Sequence, residues 1–322
     1  MIITLQKNIS ADSRRDLLLT LSRLLPGCLM RRAPAGLHIT APAPAKTPDA
    51  VPLIENLPGV AGVSLSEAEL CPLACAGIKK FSSPLDFGKG PVFIAGPCAV
   101  EEEESYLASA LALKAAGAHA LRAAIFKPRS SPYAFQGIGW GGLKIIAKAK
   151  KITGLPLVTE ATDTRQVGRL SAVCDILQIG ARNMRNYELL KEAGRSGRAV
   201  LLKRAMRATL REWLLSAEYL LKHGAKKLLL CERGDSVFSS DSPGLDFGLM
   251  REAKKLTGFP VLADPSHASR DRVIARTLAL KALRSGADGL LIEAAVSPLA
   301  ARLDGRQTIT VETFREITGK PK

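Results

Sequence analysis

The sequence predicts an α/β fold, a (β/α)8 TIM barrel preceded by a small α+β unit. Three observations predict it. From Pro91 onward, eight short apolar runs of β type alternate strictly with helix-period segments, the pattern of a closed parallel barrel. Most of these runs are followed at once by a polar or charged residue, as expected where catalytic groups stand at strand C-termini. No Gly-x-Gly-x-x-Gly follows a strand run, which argues against an open dinucleotide-binding sheet.

Residues 1–67 are predicted to form the small unit. A strand at 2–5 precedes a helix that Ser10 opens and Pro26-Gly27 ends, with Leu17, Leu18, Leu21, Leu24 and Leu25 on one face. A hairpin around Ala35-Gly36, a weaker helix near 48–56 and a strand at 60–65 complete a β-α-β-β-α-β order, the split βαβ pattern. Residues 68–90 show no clean period and are predicted to be a linker. The barrel is assigned to 91–322. Its strand runs are 92–95, 121–126, 156–159, 176–179, 199–202, 227–231, 260–263 and 289–292. The helical segments between and after them are 101–117, 139–152, 163–172, 184–194, 208–223, 245–257, 270–285 and 310–318. Gly117, Gly154, Gly194, Gly224, Gly258 and Gly286 fall where helix C-caps are expected. The acidic run Glu101–Glu104 complements a helix N-terminus.

The net charge of +16 first suggests a nucleic-acid partner. The surplus is spread along the chain in no tail or arm, and aromatic content is only 5%, leaving few platforms for base stacking. A field attracting small anions fits better, with no nucleic acid bound. The six cysteines form no Cys-x-x-Cys pair, and a chain of this size needs no disulfide staples, so a cytoplasmic, reducing setting is expected. No signal peptide opens the chain, and no apolar stretch approaches the ~18 residues of a membrane span.

Four residues fall where a metal is held at a barrel mouth. Cys98 follows the first strand run, His267 the seventh, Glu293 ends the eighth, and Asp304 lies beyond it. A single Cys or His is ordinarily a buried or surface side chain. Their joint placement matters, because the eighth, first and seventh strands become neighbours when the barrel closes. Mixed sulfur, nitrogen and oxygen donors suit a divalent Mn, Fe, Co or Zn better than Mg. Arg122, Lys127, Arg129, Arg182, Lys203 and Arg233 lie within or directly after apolar strands. A cation buried there is costly unless an anion meets it, and two phosphorylated substrates would account for so many.

Six motifs then carry a resemblance. Gly96-Pro97-Cys98-Ala99-Val100-Glu101, Phe126-Lys127-Pro128-Arg129-Ser130-Ser131, Gln178-Ile179-Gly180-Ala181-Arg182-Asn183, Leu201-Leu202-Lys203-Arg204, Cys231-Glu232-Arg233-Gly234 and Asp264-Pro265-Ser266-His267 resemble those of type I-beta 3-deoxy-7-phosphoheptulonate (DAHP) synthases. The small unit resembles, more loosely, that family's ferredoxin-like regulatory domain. The resemblance implies a homo-oligomeric (dimeric or tetrameric) enzyme of the shikimate pathway to aromatic amino acids. It implies condensation of phosphoenolpyruvate with erythrose 4-phosphate, and inhibition by an aromatic amino acid. Cys98, His267, Glu293 and Asp304 match the family's metal ligands. Arg122, Lys127, Arg182, Lys203 and Arg233 match residues around phosphoenolpyruvate, and Arg129 and Ser130 match the aldose-phosphate contact. Lys127 matches a proton donor, so Lys127, Cys98 and His267 are the expected catalytic groups.

The chain departs from the family in places. Arg122-Ala123-Ala124 and Lys203-Arg204-Ala205 carry Ala where Gly is usual, each adding a methyl near the backbone. Asp235-Ser236-Val237-Phe238 lacks an arginine, and Glu293-Ala294-Ala295-Val296 replaces a Glu-Val-His-Pro. Two alternatives therefore stand beside the first reading. One is a 3-deoxy-octulosonate 8-phosphate synthase using arabinose 5-phosphate. The other is a non-catalytic regulatory paralogue.

Overall fold

The computed structural model describes residues 1–27, 29–33, 36–40, 47–77, 84–129, 131–235 and 244–319. It divides into two compact units, Met1–Gly77 and Ile78–Lys322.

In the first unit, β1 (Ile2–Leu5) leads to α1 (Ala11–Leu24), opened by Ser10, whose hydroxyl accepts the Ser13 N–H at 3.1 Å. Then come β2 (Leu29–Ala33), β3 (Gly36–Thr40), α2 (Thr47–Glu55) and β4 (Val60–Ser64). The sheet order is β2-β3-β1-β4, with β1 antiparallel to both β3 and β4. Ile3, Leu17, Leu21, Ile54 and Val60 form its core. The unit runs past the expected boundary at 67. Ser66 and Glu69 form a capping box around the short α3 (Glu67–Leu70), and the terminal ammonium of Met1 pairs with Glu69. Cys71 and Ala74 are fully buried. The start of the expected linker is therefore packed structure.

The end of that segment belongs to the barrel. Leu85 is buried, and Phe87 packs with it against Val92, Ala120, Ile176 and Ala199, which lie at the starts of barrel strands. Apolar side chains here close the N-terminal end, which explains why a segment without periodicity is ordered.

Eight parallel strands make the barrel: β5 (Val92–Gly96), β6 (Ala120–Arg122), β7 (Leu157–Ala161), β8 (Ile176–Ile179), β9 (Ala199–Lys203), β10 (Leu228–Glu232), β11 (Val261–Ala263) and β12 (Gly289–Ala295). Each pairs with the next, and β12 pairs with both β11 and β5, so the sheet closes. A two-residue β13 (Ile309–Thr310) extends from β12. Around it lie α4 (Glu103–Ala115), α5 (Gly142–Thr153), α6 (Thr164–Val173), α7 (Tyr187–Arg195), α8 (Leu210–Lys222) and α9 (Phe247–Thr257). The short α10 (Pro265–Ser269), α11 (Arg272–Arg284) and α12 (Val311–Thr318) complete it. No helix among the described residues is long and apolar enough to cross a membrane.

Several expected boundaries shift for local reasons. β6 stops at Arg122 because the chain beyond it turns back on itself: Lys127 N–H donates to Gln136 O at 2.9 Å and Gly139 N–H to Ile125 O at 2.9 Å. The helix expected at 270–285 splits, since Arg270 adopts a left-handed backbone with φ 56°. Gly194 is no cap. It lies inside α7, where a Cβ would stand 2.7 Å from Leu220 O, so it serves close helix packing. Glu101 also falls outside α4, whose first turn holds only Glu103 and Glu104.

Candidate active site

Among the described residues, the predicted site residues lie in the C-terminal half of a barrel strand or in the segment after it, the end where a parallel barrel gathers its functional groups. The end of β5 delivers Cys98, and Glu293 lies within β12. Asp264 directly follows β11, caps α10 by accepting the His267 N–H at 3.0 Å, and so sets where His267 stands. Asp304 lies on the loop after β12 with φ 52°. One donor atom from each of Cys98, His267, Glu293 and Asp304 lies within 4.8 Å of every other.

The surroundings suit a cation. His267 Nδ1 meets Asp264 Oδ2 at 2.8 Å, which assigns the ring proton there and leaves Nε2 as a lone pair. That Nε2 is 3.5 Å from Glu293 Oε1. Burial lowers the His267 pKa despite Asp264, favouring the neutral imidazole that a metal needs. Glu293 Oε2 accepts from Gln307 at 2.7 Å. Oε1 is fully buried and takes no hydrogen bond, although Arg122 Nη1 is 3.1 Å away. An orphaned carboxylate oxygen facing a thiol, an imidazole and a second carboxylate fits a bound divalent metal. Burial, then Glu293, push the Cys98 thiol well up; it donates to Asp304 Oδ2 at 3.1 Å.

A cavity of about 330 Å³ opens over this cluster. Cys98, His267 and Asp304 line it. Lys127, Arg129, Arg182, Lys203 and Arg233 reach it from other strands. Lys127 is buried and pairs with Glu160 Oε2 at 3.1 Å. Burial opposes ionisation of Glu160, yet Lys127 and Lys203 hold its carboxyl below the usual range. Burial likewise opposes charge on Lys127, but Cys98 and Glu160 raise its pKa, keeping the ammonium. Lys203 pairs with Asp264, which also holds His267. Burial lowers the Arg233 pKa, Asp264 offsets part of this, and Arg270 and Arg182 lower it further. Such cationic crowding is relieved by a bound anion.

Two predicted residues lie apart from the cavity wall. Glu293 is buried behind it. Arg122 is beneath the cluster, with Nη2 donating to Cys98 O at 3.3 Å, and Glu293 and Cys98 raise its pKa against burial. Ser130 lies outside the described residues. Ala123, Ala124 and Ala205, the added methyls, are buried and do not line the cavity. Glu160, Gln178, Arg270 and Gln307 line the cavity and were not predicted as site residues. Glu160 and Gln178 carry the same signal as the others, a polar residue at the end of an apolar run.

Similarity to known proteins agrees with this geometry. Residues 80–321 match the DAHP synthetase I family. A phospho-2-dehydro-3-deoxyheptonate aldolase of Thermotoga maritima is 39% identical over 230 residues, covering 71% of this chain and 68% of the relative. A 2-dehydro-3-deoxyphosphooctonate aldolase of Desulfatibacillum aliphaticivorans is 32% identical over 247 residues, covering 70% and 89%. The crystal structure of a DAHP synthase from Thermotoga maritima superposes with a TM-score of 0.80 at 30% identity, covering 99% of this chain and 94% of that one. A truncated form of the 3-deoxy-D-arabino-heptulosonate 7-phosphate synthase of Thermotoga maritima gives 0.65 at 35%, covering 71% and 84%. With three quarters of its length matched, and a candidate donor cluster and cationic side chains gathered at one barrel mouth, the chain belongs to the DAHP synthetase I family.

Proposed function

We propose that the protein is a metal-dependent 3-deoxy-7-phosphoheptulonate synthase of type I-beta. It condenses phosphoenolpyruvate with erythrose 4-phosphate and releases phosphate, at the entry to aromatic amino-acid biosynthesis. One observation carries the reading: a single cavity is lined both by Cys98, His267 and Asp304 of the sulfur–nitrogen–oxygen donor cluster and by five cationic side chains. The greater identity to a heptonate aldolase than to an octonate aldolase favours erythrose 4-phosphate over arabinose 5-phosphate, as does Lys127-Pro128-Arg129-Ser130.

In this reading Cys98, His267, Glu293 and Asp304 hold Mn, Fe, Co or Zn, which when bound supplies Lewis-acid polarisation of the aldehyde. Arg182, Lys203 and Arg233 bind phosphoenolpyruvate through its phosphate and carboxylate, with Arg122 supporting the floor beneath. Arg129 and Ser130 receive the aldose phosphate. C3 of the enol attacks the aldehyde carbon, and Lys127 donates a proton to the forming alkoxide oxygen. Positive charge develops at C2, where water adds and loses a proton. Phosphate then leaves with the C2–O bonding pair, aided by the cations around it, and the C2 carbonyl forms.

The small unit is proposed to be a ferredoxin-like regulatory domain. Its β-α-β-β-α-β order and β2-β3-β1-β4 sheet support this. Phenylalanine or tyrosine is the proposed inhibitor, and a homo-oligomer is the proposed active species. The experiment is a phosphate-release assay with phosphoenolpyruvate and each aldose phosphate, on chelator-treated protein resupplied with Mn, Co or Zn. Turnover with erythrose 4-phosphate is expected. Preference for arabinose 5-phosphate would make it the sister enzyme, and no turnover with either would favour the non-catalytic paralogue.

A further inference from the structure

Three of the four metal donors are fixed by regular structure. Cys98 lies two residues beyond the end of β5, Glu293 is a residue of β12, and His267 belongs to α10 with its ring held by Asp264. Asp304 has no such support. It lies on a loop, its side chain is 26% exposed, and its backbone is left-handed. Its carbonyl accepts the Gln307 N–H at 3.0 Å and the Thr308 N–H at 3.2 Å, which shape the turn, and Arg129 Nη1 is 3.8 Å from its carboxylate. Something outside the loop ties this turn to the barrel.

Glu101 does so. Its Oε2 accepts the N–H of Arg302 at 2.9 Å and its Oε1 the N–H of Leu303 at 3.0 Å. These are the two residues immediately before Asp304. A carboxylate gripping two successive amides fixes the direction of the chain, since ionised acceptors make the stronger hydrogen bonds. Glu101 is only three residues after Cys98, and Val100 N–H donates to Ala124 O at 2.8 Å, so its own segment is tied to the barrel. Leu303 is buried against Cys98 and Ala99. From the other side, Arg272 Nη2 donates to Gly305 O at 2.7 Å. Asp304 is thus held between two clips, and the clip at Glu101 joins it to the strand that supplies the thiol.

We infer that Glu101 is a positioning residue for the metal centre, setting the distance between the Cys98 thiol and the Asp304 carboxylate. The inference rests on the metal reading of the Cys98–His267–Glu293–Asp304 cluster. Groups that orient a ligand in this way typically change metal affinity by 10- to 100-fold when removed.

The test is titration of metal-free, full-length protein with Co(II), following the thiolate-to-cobalt charge-transfer absorption, alongside the melting temperature of each metal-free protein. Glu101→Ala should raise the cobalt dissociation constant by roughly 10- to 100-fold while metal-free melting is unchanged. Glu101→Gln keeps one acceptor oxygen and a near-identical shape, so it should fold as wild type and fall between the two. Glu104→Ala removes the same charge from the same acidic stretch and should bind cobalt as wild type does. Wild-type affinity in both Glu101 variants overturns the inference and leaves the metal reading intact. So does equal weakening by Glu104→Ala, which would make the effect one of general charge. A fall in metal-free melting with unaltered affinity overturns it as well, because Glu101 would then serve only the fold. Absence of a thiolate band in the wild-type protein sinks the metal reading and this inference together.

Discussion

Gly180→Ala should damage catalysis without replacing any charged residue. Gly180 has φ −69°, which alanine adopts without strain, so the effect is purely steric. A Cβ built there stands 2.0 Å from Glu160 Oε1 and 3.0 Å from its Cδ. The carboxylate must therefore move by more than about 1 Å to reach ordinary contact distance. Glu160 is the ion-pair partner of buried Lys127 at 3.1 Å, so the ammonium loses its partner or follows it. A misplacement of about 1 Å in a catalytic group costs roughly 10²-fold in rate. Overpacking should also lower stability by about 1–3 kcal/mol. Steady-state phosphate release should show the loss mainly in kcat, and denaturant unfolding should show the smaller stability change. Wild-type kcat in a folded Gly180→Ala protein would refute the claim that Glu160 positions Lys127.

Other outcomes follow from the same geometry. Lys127→Met should lower kcat by roughly 10²-fold or more if Lys127 donates the proton, whereas Arg129→Ala should chiefly raise KM for the aldose phosphate; loss confined to phosphoenolpyruvate binding would reverse the two phosphate sites. His267→Ala should lose bound metal, measured by elemental analysis, with little change in melting, because a mouth residue adds little to the core. Exhaustive chelation should abolish turnover, and Mn, Co or Zn should restore it. A chain beginning near Ser83 keeps Leu85 and Phe87 at the barrel bottom; it should retain turnover and lose inhibition by phenylalanine or tyrosine, and inhibition at an unchanged concentration would exclude a regulatory role for the first unit.

The alternation of apolar runs and helical segments made the barrel legible, because parallel strands buried on both faces leave continuous apolar runs. The donor cluster was legible for a related reason: closure brings β11, β12 and β5 together, so their ends converge. The partners of those residues were harder to read. Lys203 and Arg204 are adjacent in sequence, as are Glu232 and Arg233, yet only Lys203 and Arg233 line the cavity. Arg204 turns to Glu232, 2.9 Å from Nη2 to Oε1, and to Asp235 at 3.0 Å. Period-two alternation says that neighbours diverge, but not which one points inward. Loop residues such as Gln307 carry no periodic signal at all.

The Arg204–Glu232 pair also bears on the departures from the family pattern. Glu232 Oε1 accepts the Gly234 N–H at 2.8 Å, on the far side of Arg233. Asp235 Oδ1 accepts the Arg207 N–H at 2.7 Å, tying the loop after β9 to the loop after β10. The strand end that presents Arg233 is therefore braced by buried charge, outside the cavity. The Gly-to-Ala changes at Ala123, Ala124 and Ala205 fall in packed positions that do not line the cavity. Their methyls are taken up in the packing, and Lys127, Lys203 and Arg233 still line the cavity. Cys98, Lys127, Lys203 and Arg233 keep common walls around one volume despite the altered motifs. Conservation of charge placement through changed packing is what a retained reaction requires, since the electrostatics of the cavity, and not the identity of the residues beneath it, act on the reacting atoms.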